Sequence, residues 1–149
     1  MTQNITFSDE YFMKKAFDEA QIAFDKGEIP VGAIVVCNNK IVAKAHNLVE
    51  TLNDVTAHAE ILAISSAAEY LGGKYLPECT IYITLEPCVM CSGALQWAQI
   101  GRVVYGAKDE TRGYNKNAPN ALHKKTKITS GILEEECSNI LKEFFAKKR

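Results

Sequence analysis

The chain has 149 residues, 47% of them hydrophobic and 23% charged, a balance that is ordinary for a globular domain with one hydrophobic core. Its longest apolar runs, residues 29–37 and 80–85, are far shorter than the roughly 20 residues of a membrane helix, and the first ten residues lack the pattern of a signal peptide. Five cysteines with one close pair do not match a secreted disulfide framework. We therefore expect a single domain over residues 1–149, in the cytoplasm and outside any membrane.

Charge is distributed unevenly, although the net charge is only −1. Residues 1–107 carry 7 Lys or Arg and 12 Asp or Glu, whereas residues 108–149 carry 10 and 6, so the two parts have net charges of −5 and +4. The near-neutral total excludes a strong overall attraction to nucleic acid. The basic last third could contact phosphates locally, or it could be an ordinary solvated surface.

Helical and extended patterns alternate along the chain. In chain order they predict a helix (9–26), two strands (33–37 and 40–46), a helix (57–71), a strand (80–85), a helix (87–98), a short strand (102–105), a polar loop (109–125), a last strand (127–129) and a helix from 131 or 132 to 148. Such alternation predicts an α/β fold in three layers, α/β/α, with helices on both faces of a central mixed five-stranded sheet.

Local signals define the ends of several of these elements. Two asparagines at residues 38–39 suit a two-residue hairpin turn because Asn tolerates positive φ. Asp54 and Thr56 can cap the second helix, and Ser130 can cap the last one. Pro87 suits the first position of the third helix, which would place the cysteines that follow it in the first helical turn.

Two short motifs predict a metal site. The first is His58-Ala59-Glu60, and the second, after 26 residues, is Pro87-Cys88-Val89-Met90-Cys91. An imidazole and two thiolates, from His58, Cys88 and Cys91, are typical zinc ligands, and a catalytic zinc keeps its fourth position open for water. Glu60 would lie beside that water without binding the metal. Because each motif stands at a predicted helix start, we expect two helix N-termini to converge on one zinc ion.

Other interpretations of the cysteines remain open. A C-x-x-C pair alone also fits a thioredoxin-like redox pair or half of a structural zinc site. A structural site would need a fourth Cys or His, and none of the remaining ones forms a second close pair. A non-enzymatic zinc or redox module would not require Glu60.

The joint pattern H-x-E…P-C-x-x-C is typical of zinc-dependent nucleobase deaminases. In that chemistry zinc lowers the pKa of water from about 15.7 toward 7, so that hydroxide can attack the ring carbon that bears the amino group. Glu60 is the predicted catalytic residue, because a carboxylate beside the water can carry its proton to the ring nitrogen and then to the leaving amine.

The sequence resembles the bacterial tRNA-specific adenosine deaminases, a group with the cytidine deaminase-like fold. The resemblance runs over residues 27–33 (GEIPVGA), 45–47 (AHN), 54–61 (DVTAHAEI), 84–91 (TLEPCVMC) and 101–109 (GRVVYGAKD), and over the terminal helix. It implies a zinc-dependent homodimer that flips the wobble adenosine of a tRNA anticodon loop into the zinc pocket and converts it to inosine.

The resemblance also implies substrate-binding residues. Asn47 would hydrogen-bond the target base, and the N–H of Ala59 would frame its reacting edge. Asp109 would contact the target ribose or its neighbours. The remaining positions are pocket residues and contacts of the terminal helix with the anticodon loop: Ile29, Pro30 and Val31 in the pocket, and Phe144, Phe145 and the basic tail 147–149 on the helix.

The substrate has an alternative, because the family pattern changes after Asp109. Residues 110–117 differ from the usual stretch and form a shorter loop, and the basic tail is short. A free nucleobase or nucleoside deaminase, acting on guanine, cytosine or a related substrate, could use the same fold and zinc chemistry. Such an enzyme would not need the lysines at 124, 125 and 127, which a tRNA substrate could contact.

Overall fold

A computed structural model describes residues 8–148; residues 1–7 and Arg149, the end of the basic tail, lie outside the described part. In chain order the elements are α1 (Asp9–Asp25), β1 (Gly32–Cys37), β2 (Lys40–His46), α2 (Val49–Leu52), α3 (Ala59–Leu71), β3 (Cys79–Leu85), α4 (Val89–Ala98), β4 (Arg102–Ala107), α5 (Tyr114–Asn117), β5 (Lys127–Ser130) and α6 (Glu134–Lys147). None of the helices in residues 8–148 is both long and apolar enough to cross a membrane.

The five strands form one mixed sheet in the order β2-β1-β3-β4-β5. Strand β1 is antiparallel to both β2 and β3, whereas β3, β4 and β5 are parallel to one another. The carboxyl ends of parallel strands meet at one edge, and here Leu85 pairs with Ala107 at that edge. We call it the carboxyl edge and the opposite one the amino edge. The predicted five-stranded mixed sheet is confirmed.

Helices cover both faces of the sheet, as the three-layer prediction requires. On one face α3 and α4 contribute buried residues such as Ala63 and Leu95 to a core with β1, β3 and β4. On the other face α1 and α6 contribute Met13 and Cys137. At the start of β1 a Cβ atom on Gly32 would lie 2.1 Å from the carbonyl oxygen of Ala16, so only glycine lets α1 pack this closely.

The predicted turn and helix ends are partly confirmed. Residues 38 and 39 have φ angles of 53° and 61°, as the hairpin turn requires, and Gly72 ends α3 at φ 75°. The last helix begins later than predicted, at Glu134, and Ser130 does not cap it. Ser130 instead pairs with Tyr105 in the sheet, and the left-handed conformation of Gly131 and Leu133 delays the helix.

The prediction omitted two four-residue helices. Helix α2 carries no apolar periodicity of its own and owes its start to a distant side chain. Glu28 accepts hydrogen bonds from the backbone N–H groups of Glu50 (3.0 Å) and Thr51 (2.6 Å). Helix α5 lies within the segment predicted as loop. Both helices are short enough that tertiary contacts, rather than local sequence, determine them.

Candidate metal centre and active site

Two helix N-termini converge at the carboxyl edge and bring the predicted ligands together. His58 is the N-cap residue of α3, and Cys88 is the N-cap residue of α4. The Nδ1 atom of His58 lies 3.7 Å from Sγ of Cys88 and 3.5 Å from Sγ of Cys91. One ligand atom from each of the three residues lies within 4.8 Å of the others, so together they can hold a metal ion.

The local reasons for these helix starts differ from the prediction. Pro87 precedes the N-cap instead of occupying the first helical position, so Cys88 has extended backbone angles and Cys91 stands in the first turn. Asp54 does not cap α3. Its Oδ1 accepts hydrogen bonds from the N–H (2.8 Å) and hydroxyl (2.7 Å) of Thr56, and this fixes the turn that leads to His58.

The two cysteine thiols of the cluster have pKa values shifted in opposite directions. A hydrogen bond from Cys91, together with His58, lowers the pKa of Cys88 to about 4, although burial opposes this shift. The same contact with Cys88, and burial, raise the pKa of Cys91. The hydrogen bond to Cys88 also raises the pKa of His58. The lowered pKa of Cys88 favours the thiolate form, which attracts a cation.

Glu60 lies in the first turn of α3 and is 4% exposed. Burial raises its pKa to about 7, and its carboxylate lies within hydrogen-bonding reach of the Cys91 thiol. It does not belong to the group of three that can hold a metal. A protonatable group thus stands beside the cluster. Ala59, between His58 and Glu60, is fully buried, and the first N–H groups of a helix have no partner within that helix.

The segment 29–31 and Asn47 form one side of the site. The N–H of Asn47 donates to the carbonyl of Val31 (3.1 Å), and its side-chain Nδ2 donates to the carbonyl of Ile29 (3.3 Å). Leu48 next to it donates to the carbonyl of Ala57, which precedes His58. Asn47 Oδ1 accepts from the N–H of Val49 (3.2 Å), so one amide N–H and one lone pair remain for a ligand.

The exposure of these residues differs along the segment. Ile29 is 41% exposed, whereas Pro30 and Val31 are buried beside it. The N–H of Gly32 donates to Oγ1 of Thr84 (3.0 Å), which fixes the start of β1 against the end of β3. The predicted pocket residues therefore lie at the same edge of the sheet as the metal-ligand cluster.

Asp109 lies on another side of the site, after the end of β4. Its N–H donates to Oε1 of Glu86 (3.0 Å). Its own carboxylate accepts from the backbone N–H groups of Thr111 (3.1 Å) and Arg112 (3.0 Å). Asp109 is half-buried, and these bonds fix both its backbone and its side chain.

The terminal helix contributes one of its two phenylalanines to the surface. Phe145 is 48% exposed and lines a groove of about 370 Å³ with Lys108 and Lys142. Phe144 is 6% exposed and packs against Phe24 with ring centroids 5.9 Å apart. The ring of Phe144 thus belongs to the core between α1 and α6, and the predicted contact of this residue with substrate stays a prediction.

Two of the basic residues before and in β5, Lys125 and Lys127, lie at the edge of the sheet opposite the cluster. Lys127 pairs with Arg102, the first residue of β4, and therefore lies at the amino edge. Lys125 and Lys127 line a separate cavity of about 600 Å³ with Arg102. Lys108 and Lys142, in contrast, lie at the carboxyl edge. The sequence alone could not locate these lysines, because it did not show that β5 lies parallel to β4.

Two buried carboxylates at the site were not predicted. Glu86 is 5% exposed and Glu28 is 1% exposed, and both accept hydrogen bonds from backbone N–H groups far away in the sequence. A signal for them was present. Glu86 lies between an apolar residue and a proline, in Leu85-Glu86-Pro87, and Glu28 precedes the same two kinds of residue, in Glu28-Ile29-Pro30. A charged side chain next to an apolar residue and a proline is not expected to be fully solvated.

Comparison with known proteins supports this geometry. The MafB19-like deaminase family profile matches residues 7–149. A tRNA-specific adenosine deaminase of Aquifex aeolicus (strain VF5) is 49% identical over 144 residues, which cover 94% of this chain and 95% of that protein. A structure from a study of A-to-I editing by tRNA:A34 deaminases at the wobble position of transfer RNA superposes with a TM-score of 0.82 at 40% identity, covering 88% of this chain and 99% of that one.

A guanine deaminase from Bacillus subtilis is also similar. It is 42% identical, with a TM-score of 0.65, over 68% of this chain and 65% of that one. The likeness to the adenosine deaminases extends over a larger share of both chains. The chain therefore belongs to the MafB19-like deaminase family, in the group of the tRNA-specific adenosine deaminases.

Proposed function

We propose that this protein is a zinc-dependent hydrolytic deaminase that converts the wobble adenosine of a tRNA anticodon loop to inosine. The observation that carries the proposal is the cluster of His58, Cys88 and Cys91 with Glu60 beside it. The near full-length likeness to an adenosine deaminase supports the substrate. A tRNA substrate also implies a cytoplasmic protein.

The donor set fits zinc. Tetrahedral zinc with Zn–S of about 2.3 Å and Zn–N of about 2.0–2.1 Å separates a sulfur and a nitrogen ligand by about 3.5–3.6 Å. The separations from His58 Nδ1 are 3.5 Å to Cys91 and 3.7 Å to Cys88. Three protein ligands leave a fourth position, as a catalytic site requires. Bound zinc supplies a Lewis acid that favours ionisation of water near neutral pH.

Glu60 is the proposed catalytic residue. It accepts the proton of the attacking water and donates it to the ring nitrogen, and a second transfer protonates the leaving amine. A C–O bond forms at the ring carbon, the C–N bond breaks, and ammonia leaves. The buried position of Glu60 beside Cys91 supports this role because bulk water cannot compete for the transferred proton.

The surrounding residues would bind and orient the substrate. The free amide N–H and lone pair of Asn47 are complementary to a purine edge, and Ile29 and Val31 supply apolar contact for the ring. The N–H of Ala59 points from a helix N-terminus, where partial positive charge favours developing negative charge. Asp109 offers a carboxylate for a ribose. Phe145, with Lys108 and Lys142, provides an aromatic ring and positive charge for a neighbouring nucleotide.

We also propose that the protein acts as a homodimer through the outer face of α4. Val89 (46% exposed), Met90 (38%) and Trp97 (78%) are apolar residues on this helix, and Met90 and Trp97, seven residues apart, lie about two helical turns apart on one side. Gly93 between them has open space around it. An apolar row of this kind favours contact with a second copy, and Trp97→Lys should convert a dimer to a monomer in sedimentation analysis.

The decisive experiment compares substrates. Purified protein is incubated with an anticodon stem-loop carrying adenosine at the wobble position, and inosine is measured by mass spectrometry. The same loop with a guanosine at that position is the matched control, and guanine, cytosine and adenosine are tested as free substrates. Conversion of the adenosine stem-loop supports the proposal. Turnover of free guanine without turnover of the stem-loop would replace it with the activity of the guanine deaminase.

A further inference from the structure

Glu86 stands at the junction between β3 and the metal-ligand turn, yet it is not one of the three candidate metal ligands and forms no ion pair with residues 8–148. Its carboxylate is 5% exposed. Oε1 accepts from the N–H of Asp109 (3.0 Å), and Oε2 accepts from the N–H of Asn115 (2.9 Å). The two donors are six residues apart in the chain, so one side chain fixes both ends of the segment 109–115.

The backbone on both sides of Glu86 adds to this connection. The N–H of Glu86 donates to the carbonyl of Ala107 (2.8 Å), and the N–H of Tyr114 donates to the carbonyl of Pro87 (3.0 Å). Cys88, a metal-ligand candidate, forms an isolated antiparallel bridge with Gly113. The turn that carries Cys88 and the segment that carries Asp109 are therefore one hydrogen-bonded unit.

The segment is also fixed from within. Asn117 Nδ2 donates to the carbonyls of Thr111 (3.0 Å) and Gly113 (2.9 Å). A Cβ atom on Gly113 would lie 2.3 Å from Oε2 of Glu86, so the carboxylate occupies the space that any side chain there would need. Glu86 and Gly113 thus depend on each other. The segment has one arrangement as long as the carboxylate accepts from both ends.

We propose that Glu86 is a positioning residue that holds the segment 109–115, and with it Asp109, against the metal-ligand turn and thereby sets substrate affinity. This proposal rests on the tRNA deaminase function proposed above. Only a carboxylate can accept at both oxygens. In Glu86→Gln one amide nitrogen replaces an acceptor and faces a backbone N–H, so one end of the segment loses its bond.

The test is the substitution Glu86→Gln with three readouts. On the adenosine stem-loop we expect KM to rise about tenfold, the effect of one buried hydrogen bond, and kcat to fall no more than about threefold. Zinc content should remain unchanged. Trypsin should cleave the native protein faster after Arg112 and Lys116, which are exposed within or beside the segment.

Asp9→Asn is the matched control. It makes the same carboxylate-to-amide change at the amino edge, where Asp9 binds Arg102, and it should leave KM and cleavage after Arg112 unchanged. Gly113→Ala tests the contact from the other side and should raise KM in the same way if Glu86→Gln does not fold.

The results separate this proposal from the substrate proposal. If Glu86→Gln or Gly113→Ala keeps the wild-type KM and cleavage rate, Glu86 does not position the segment. An equal rise of KM in Asp9→Asn, or loss of zinc from Glu86→Gln, would likewise overturn the proposal, because general destabilisation would then explain the effect. If the wild-type protein does not deaminate the stem-loop, the tRNA proposal fails, while cleavage after Arg112 and Lys116 still tests the role of Glu86 in holding the segment.

Discussion

Asp9 at the amino edge of the sheet meets an arginine, whereas Glu28, Glu60 and Glu86 at the carboxyl edge do not. Asp9 accepts from Nη1 (3.0 Å) and Nη2 (2.8 Å) of Arg102 and from the hydroxyl of Tyr82 (2.8 Å). Among residues 8–148, no Lys or Arg forms an ion pair with the three glutamates. The charge of Asp9 is balanced within the fold by an arginine, whereas backbone N–H groups stabilise Glu28 and Glu86. Glu60 has neither kind of partner to the same extent, and burial raises its pKa to about 7, so it can take up and release a proton.

The largest expected effect of a single substitution is at Glu60. Glu60→Gln preserves size and burial but cannot accept a proton, so we expect turnover to fall by about 10²- to 10⁴-fold with zinc retained. Single-turnover kinetics and metal analysis measure both quantities. Glu69→Gln, on the exposed side of the same helix, is the control and should keep wild-type turnover. A Glu60→Gln enzyme that retained most of its turnover would show that another group carries the proton.

Metal removal should have the next largest effect, which is a loss of thermal stability. A ligand at 1,000 times its Kd stabilises the folded state by about 4 kcal/mol, so a chelator should lower the melting temperature by several degrees. Cys91→Ser should lower it without chelator. Cys37 is a half-buried cysteine outside the cluster. The Cys37→Ser variant should still bind zinc, and chelator should still lower its melting temperature. Equal melting temperatures with and without chelator would contradict a metal-stabilised carboxyl edge.

The smallest effect concerns the amino edge and depends on pH. The hydrogen bond and charge of Arg102 lower the pKa of Asp9 below its ordinary value of 3.8, while burial opposes the shift. A lowered carboxyl pKa stabilises the fold above the ordinary value, and this stability is lost as pH falls through the lowered value. Asp9→Asn should therefore cost about 1 kcal/mol at neutral pH.

Urea unfolding of the wild-type protein and the Asp9→Asn variant between pH 7 and pH 3 measures the difference in their free energies of unfolding. It should shrink as the pH falls below 4, because the wild-type carboxylate then begins to take up a proton. At neutral pH the Asp9→Asn variant should deaminate substrate at the wild-type rate. A stability difference that stayed constant with pH would mean that the ion pair with Arg102 is not its source.

The sequence was sufficient for the sheet and for the residues of the cluster, for a physical reason. His58, Cys88 and Cys91 belong to short motifs at helix starts, where spacing and residue type are local properties. The exact helix starts were less predictable. Pro87 was assigned to the first helical position because proline favours it, but it precedes the N-cap residue Cys88. Ser130 was assigned as a cap because serine often is one, but it pairs in the sheet, and two residues with positive φ come between it and the helix.

The distant partners of buried side chains could not be identified from local sequence. Glu86 binds backbone N–H groups 23 and 29 residues further along the chain, and Glu28 does the same across 22 and 23 residues. Backbone donors have no sequence signature, so no motif marks such a partner. The same limitation explains why Phe144 was counted with Phe145, since only the packing of α6 on α1 distinguishes the buried ring from the exposed one.

The contact between Gly32 and Ala16 links the packing of α1 to the pocket. A methyl group at position 32 would collide with the helix backbone and push α1 away from the sheet. Soon after the end of α1 come Glu28, which accepts from the start of α2, and the segment 29–31. An outward shift of α1 would therefore move this segment relative to Asn47, which donates to the carbonyl of Ile29. A single glycine, on the face of the sheet opposite the thiols, therefore sets how closely α1 and the segment that follows it can lie to Asn47.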